Sequence, residues 1–399
     1  MVASKSEKVT LAPPAGRPAA ALSYLGALTL VPGVGKKTAE RLLVELRNRL
    51  DLPLLDKSYE QWSAESLVQS RNGARRELAA KWHAHLGTLD PAQPADESAA
   101  IESARLFTDY LHACRDDRYA MSLLPPGRFL MPGDMAGSPA LTFAPLELSG
   151  DDEPPAGSLW AMMRRRYDAY REAIVRPFFR EHFARLDRQI VLVDALAAFN
   201  AGPEAVRDLQ GALVSILDCF RVGRSGILSA LFSPKVDKIL FAATKADHLH
   251  HTGHDRLEAI LKRMTERAIE KANFSGAEVD VIALAAVRAT REGTVRGEGG
   301  PLPTIVGVAA PGEVAGGRTF DGQTEIAVFP GDLPRDPAEL FDPKSELFRG
   351  LTHASPQDSD YRFVRFRPPL LEQLDGGNPA LPHIRLDRAL QFLIGDRLK

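Results

Sequence analysis

From residue 189 onward, short unbroken apolar runs alternate with longer stretches in which apolar residues recur every three or four positions. Residues 189–193, 238–243 and 279–285 are strand-length runs, and residues 204–220 and 255–273 carry helical spacing. Buried strands separated by helices of this length predict right-handed crossovers and a parallel sheet. Before residue 187 the pattern is mostly helical, with residues 63–86 and 99–113 divided by Pro-rich breaks and one short strand expected at 140–143. Residues 158–186 read as a long helix whose apolar set is Trp160, Met163, Tyr167, Tyr170, Ile174 and Phe178. Pro177 is expected to kink or interrupt it, because proline supplies no backbone N–H. Its many arginines read as a solvated face or an intramolecular anchor. After residue 293 Gly and Pro dominate, with strands expected at 304–309 and 325–329 and an amphipathic helix at 386–398.

Five segments follow: a flexible lead at 1–25, a compact helical pair at 26–50, a helical insertion at 51–186, an α/β region at 187–292 and a β-rich appendage at 293–399 with a terminal helix.

Composition changes this picture little. Apolar residues make up 44% and charged residues 26%, with a net charge of −2. No global field draws the chain to nucleic acid or anionic lipid, so a basic site must be local. Cys114 and Cys219 lack metal-type spacing and read as reduced thiols of a cytoplasmic protein. The apolar runs are too short for a membrane span.

Candidate chemistry lies where strand 238–243 runs into Thr244-Lys245-Ala246-Asp247. A carboxylate at a strand's carboxyl end can accept hydrogen bonds from guanine N1–H and the exocyclic amine, a charge-assisted fork that adenine cannot satisfy. Lys245 would cover the base face and Thr244 would tie the loop to its neighbours. One helix later, Ala285 leads into Ala286, Val287 and Arg288, a turn whose backbone N–H groups could meet the guanine carbonyl. Ligands on such sheets sit at the carboxyl ends of strands. Residues 190–194 resemble a Walker B strand ending in Asp194, and read here as the fourth strand of a GTPase-like core.

Several longer blocks carry a family resemblance. Tyr167-Asp168-Ala169-Tyr170, Val175-Arg176-Pro177-Phe178-Phe179-Arg180-Glu181-His182-Phe183, Leu186-Asp187-Arg188-Gln189-Ile190-Val191-Leu192-Val193-Asp194 and Ala243-Thr244-Lys245-Ala246-Asp247-His248 together resemble the YcjX family, over residues 51–399. The resemblance implies a P-loop nucleoside-triphosphatase core, GTPase or ATPase chemistry and a link to stress responses. The expected fold class is α/β: an incomplete GTPase-like parallel sheet with a large helical insertion, a small β-rich C-terminal part and an N-terminal helix-hairpin-helix. Such proteins open with a Walker A segment. Here Gly35-Lys36-Lys37-Thr38 fails that pattern, since position 30 is Leu and Lys37 separates Lys36 from Thr38. GTP or GDP is therefore expected to bind through its base, with little turnover, and magnesium only if a phosphate site is supplied elsewhere.

Residues 28–43 have helix-hairpin-helix spacing and resemble the second such motif of the Holliday-junction-binding RuvA proteins. Gly33, Val34 and Gly35 would let the hairpin approach a DNA phosphate, with Lys36, Lys37 and Thr38 donating to it. A single hairpin makes few contacts, so such binding would be weak. The change of resemblance at Leu50/Asp51 is what a gene fusion, a rearranged reading frame or an artificial junction would produce. His248, His250, His251 and His254 read as a polar exposed loop and not as a metal site.

Overall fold

The computed structural model describes residues 51–148, 153–181, 186–218, 236–274, 276–297, 300–315, 318–342, 363–368 and 382–398. The helix-hairpin-helix expectation, with Gly33, Val34, Gly35, Lys36, Lys37 and Thr38, lies outside the described residues, as does the lead at 1–25. Two compact units emerge. One takes residues up to Gln69, Ala79–Leu111 and Pro125–Phe178; the other takes Ser70–Leu78, His112–Leu124 and Phe179–Lys399.

Chain order gives the helices α1 (Tyr59–Ser70), α2 (Arg75–Leu78), α3 (Ala80–Leu86), α4 (Glu97–Arg115), α5 (Gly127–Leu130), α6 (Leu159–Tyr170) and α7 (Arg176–Glu181). In the first unit aromatic packing makes the core. Trp62 stacks on Tyr167 with ring centroids 5.0 Å apart and meets Phe107 and Phe143 edge-on. Trp82 stacks on Tyr110 at 5.4 Å. Offset and edge-to-face contacts of this kind add to the area that such rings bury. The arginines of α6 serve as anchors: Arg166 donates to the Thr142 carbonyl at 3.0 Å and pairs with Glu97.

The structure refines one expectation here and corrects another. The long helix is interrupted, as expected of Pro177, but ahead of that residue: a π-turn, Arg171–Val175, separates α6 from α7. Pro177 falls at the second residue of α7, where its missing N–H costs least, and the wider turn before it accommodates the lost bond. The strand expected at 140–143 is instead a 3-10 turn, Pro139–Leu141, capped by Ser138, whose side chain accepts from the Ala140 N–H at 3.3 Å. Proline's fixed φ favours the turn, and Phe143 is buried among rings, with no strand partner among the described residues.

The second unit holds the sheet. Strands β1 (Arg188–Val193), β2 (Lys238–Ala243) and β3 (Glu278–Ala283) run parallel in the order β1-β2-β3, with Val193 opposite Ala243 and Ala243 opposite Ala283. Helices α8 (Ala195–Ala201), α9 (Pro203–Asp218) and α10 (His254–Phe274) connect them. Alternation along β2 divides the core. Ile239, Phe241 and Ala243 pack with Leu209, Leu257, Ile260 and Leu261, and Leu240 and Ala242 pack with Ala389 and Leu386 of α11 (Leu386–Ile394). Both faces of the parallel sheet are therefore covered.

A second, antiparallel sheet has the order β4-β5-β8, built from β4 (Thr290–Gly297), β5 (Gly300–Val308) and β8 (Glu325–Val328); β6 (Val314–Ala315) and β7 (Arg318–Thr319) pair separately. Its core is Ile305, Ala309, Val364 and Phe366. Gly307 is enclosed: a Cβ there would lie 2.8 Å from Phe366 Cδ1 and 3.1 Å from the Ala289 carbonyl oxygen. Gly211, within α9, has open space around it. Gly307→Ala is expected to destabilise the protein by about 1–3 kcal/mol through overpacking. Gly211→Ala is expected to stabilise it by up to about 1 kcal/mol through helix propensity. Denaturant melts followed by circular dichroism check both signs, and a neutral Gly307→Ala would contradict the packing argument.

Candidate functional site

The corner at the carboxyl ends of β2 and β3 gathers the residues singled out from the sequence. Thr244 donates twice to the Val193 carbonyl, from its backbone N–H at 2.9 Å and its hydroxyl at 3.3 Å, which ties the loop after β2 to the end of β1. Lys245 follows in the left-handed region, with φ +61°. A lysine in that conformation costs about 1 kcal/mol or more, and such costs concentrate at functional sites. The reversal starts a 3-10 turn, Ala246–His248, which carries Asp247 inward; Asp247 is 4% exposed.

Asp247 is held from the far side of the corner. Its Oδ2 accepts from the Ala289 N–H at 2.8 Å, and its backbone carbonyl accepts from the Thr290 hydroxyl. Among the described residues its Oδ1 has no donor. The turn after β3 is fixed by a neighbouring segment: Ala285 exchanges two backbone bonds with Ile384, at 3.1 and 2.8 Å, and the Arg288 N–H donates to the Pro382 carbonyl at 2.6 Å. Between these anchors the N–H groups of Ala286 and Val287 donate to no described residue, and Ala286 is exposed. Arg288 folds back, its Nε donating to the Thr290 carbonyl at 2.9 Å.

Lys245 Nζ lies 2.6 Å from Asp194 Oδ2. Both side chains are more than a third exposed, so the pair is worth under about 1 kcal/mol and gives way readily to another contact. Asp194 also caps α8, its Oδ1 accepting from the Ala197 N–H at 3.2 Å.

The histidines need correction. His248 and His254 are buried, not part of an exposed loop. The His248 ring meets Phe366 edge-on at 5.4 Å, and His254 Nε2 lies 2.9 Å from the Ala246 carbonyl, where the protonated nitrogen donates. Burial pushes the His248 pKa down, against the raising effect of the Asp247 carboxylate, and burial likewise lowers that of His254. His251 is exposed. Sequence reasoning gave no role to Ala289 and Thr290, which follow the turn directly, and missed Glu292, because strand β4 reads Thr-Arg-Glu-Gly-Thr-Val-Arg-Gly and shows no apolar alternation. The alternating Thr290, Glu292 and Thr294 were the only available signal.

Among the described residues, a parallel three-stranded sheet covered on both faces is consistent with an α/β fold of the GTPase-like kind. The sequence profile described as the YcjX-like family, DUF463, matches residues 49–398, and the chain belongs to that family. It is 38% identical over 361 residues to the Ras-like GTPase YcjX of Escherichia coli (strain K12), covering 88% of this chain and 70% of that protein. It is 32% identical over 358 residues to the Ras-like GTPase YcjX of Shewanella oneidensis, covering 88% of this chain and 68% of that protein. A partial similarity, 50% over 97 residues, links 24% of this chain to 41% of the Holliday junction branch migration complex subunit RuvA of Acidothermus cellulolyticus. No helix among the described residues is long and apolar enough to cross a membrane.

Proposed function

We propose that this chain binds guanine nucleotides through the corner formed by Thr244, Lys245, Asp247 and the turn at Ala286, Val287 and Arg288. One observation carries the reading. Asp247 is held by the Ala289 N–H with its second oxygen uncommitted among the described residues, next to a turn whose Ala286 and Val287 N–H groups are likewise uncommitted. Guanine presents N1–H and an amine to a carboxylate and a carbonyl to backbone donors, so it suits both halves of the corner. Lys245 leaves its weak pair with Asp194 to cover the base. The relatives are named Ras-like GTPases, which agrees with a guanine ligand.

The sequence contains no Gly-x4-Gly-Lys-Ser/Thr loop, so phosphate contacts and magnesium enter only with a phosphate site supplied elsewhere. Turnover by this polypeptide alone is expected to be negligible, and affinity for GDP or GTP modest. Titration of a fluorescent GDP into wild type and Asp247→Ala tests the site. The variant is expected to lose binding; superimposable curves remove the proposal.

A second reading, weak DNA contact through Gly33, Val34, Gly35, Lys36, Lys37 and Thr38, is favoured by the partial similarity to RuvA. Reversing charge at Lys36 and Lys37 is expected to weaken duplex or junction binding at low salt, where phosphate contacts count most. Unchanged retention would end that reading.

A further inference from the structure

We propose that His250, His251 and Glu292 form a binding site for a zinc-class divalent ion, bracing the loop after Asp247 against strand β4. Each of the three offers one ligand atom, and these atoms all lie within 4.8 Å of one another. His250 Nε2 is 3.7 Å from Glu292 Oε2, and His251 Nδ1 is 2.8 Å from the same oxygen. A tetrahedral ion with bonds of about 2.1 Å keeps its ligand atoms about 3.4 Å apart. The His250 distance already suits such an ion to within a few tenths of an ångström. The His251 distance must open by about half an ångström on the same geometry, which its exposed ring can supply by rotation.

The surroundings orient the ligands. His250 Nδ1 lies 3.0 Å from the Thr252 hydroxyl; donating its proton there leaves Nε2 with its lone pair toward Glu292. The His251 backbone N–H donates to Glu292 Oε1 at 3.1 Å, which fixes the carboxylate so that Oε2 faces both rings. A contact between His251 and Glu292 explains one of these approaches; it does not explain why the His250 ring lies beside that of His251, with centroids 4.2 Å apart, and brings its Nε2 to 3.7 Å from the same carboxylate oxygen. Arg288 Nη2, 3.7 Å from Glu292 Oε1, is the opposing charge nearby and lowers the affinity somewhat.

Two imidazoles and one carboxylate favour zinc, cobalt or nickel over magnesium or calcium, which prefer all-oxygen sites. Three protein ligands leave a position for water. The ion would also act on the neighbouring corner. Glu292 lies two residues beyond Thr290, whose hydroxyl holds the Asp247 carbonyl, and His250 and His251 follow Asp247 within four residues. Metal would thus tie together both sides of the corner proposed to read guanine, while its own site depends on neither Asp247 nor nucleotide.

The test titrates zinc and cobalt into the full chain and reads cobalt ligand-field absorbance and the thermal midpoint. One equivalent is expected to bind, to raise the midpoint and to give a low-coordinate cobalt spectrum without thiolate charge-transfer bands. Glu292→Gln and His250→Gln are each expected to lower affinity at least about tenfold, with metal-free circular dichroism unchanged. Asp247→Ala is expected to retain metal binding, so loss of guanine affinity and loss of the ion are separable. Equal affinity in wild type and Glu292→Gln, or thiolate bands that place the ion at cysteine, overturns the assignment. If both substitutions disturb the metal-free fold, His251→Gln on the exposed ring serves in their place, and unaltered affinity there overturns it equally.

Discussion

Asp247→Asn is expected to exchange guanine for xanthine as the preferred base. The wild-type carboxylate is acceptor-only and can take both N1–H and the exocyclic amine of guanine, while Oδ2 keeps the Ala289 N–H through its second lone pair. An asparagine retains one acceptor, which the Ala289 N–H claims, and turns an N–H donor toward the guanine amine. Hydrogen bonds to a charged group are each worth about 1.5–3 kcal/mol. Losing two predicts a fall in GDP affinity of about 10²–10⁴-fold on that scale. Xanthine carries a carbonyl in place of the amine and accepts what the amide now donates. The ratio of XDP to GDP affinity depends only on base contacts and is therefore informative whatever holds the phosphates. Fluorescent titrations with both nucleotides check it. An Asp247→Asn protein that binds GDP as wild type does would show that this carboxylate does not read the base.

The parallel sheet was legible because its central strand is apolar on both faces, its neighbours carry β-branched runs and its helices keep regular spacing. Strand β2 runs Lys-Ile-Leu-Phe-Ala-Ala without interruption, and its side chains do fill two cores. The Thr244 to Asp247 turn was legible because it follows such a strand directly. Features made by tertiary partners were not. His248 looks like a member of a polar loop until Phe366, from a distant part of the chain, encloses it, and His254 until its ring turns back onto the Ala246 carbonyl of the preceding turn. Glu292 stands 41 residues from His251 on a strand rich in Thr and Gly, so no local pattern joins the two. The break in the long helix was foreseen at Pro177, yet its form, a π-turn at Arg171–Val175, follows from how the chain absorbs one missing N–H donor.

Asp51→Asn is expected to remove most of a pH dependence built into the helical unit. Asp51 is fully buried, accepting from the Gly127 N–H and from the Tyr170 hydroxyl, each at 2.7 Å. Burial pushes its pKa up from 3.8 to about 7, although both hydrogen bonds and the nearby Arg128 charge pull the other way. The native state thus keeps a proton that the unfolded chain releases near pH 4. Between that value and about 7 the unfolded state binds fewer protons, so stability falls as pH rises. Below pH 4 the contribution is fully present, and above about 7 it is gone. A shift of roughly three units corresponds to about 4 kcal/mol as an order of magnitude. Asparagine has the shape of the protonated acid and does not titrate, so the variant should hold its stability where wild type loses it. All three tryptophans, Trp62, Trp82 and Trp160, belong to this unit, so fluorescence-detected urea melts from pH 4 to 8 report on it and not on the sheet. Wild type is expected to weaken relative to Asp51→Asn across that range, and Tyr170→Phe, which removes one donor to the carboxylate, is expected to push the loss to higher pH. Parallel pH profiles for wild type and Asp51→Asn would mean that this carboxyl ionises as freely in the fold as outside it.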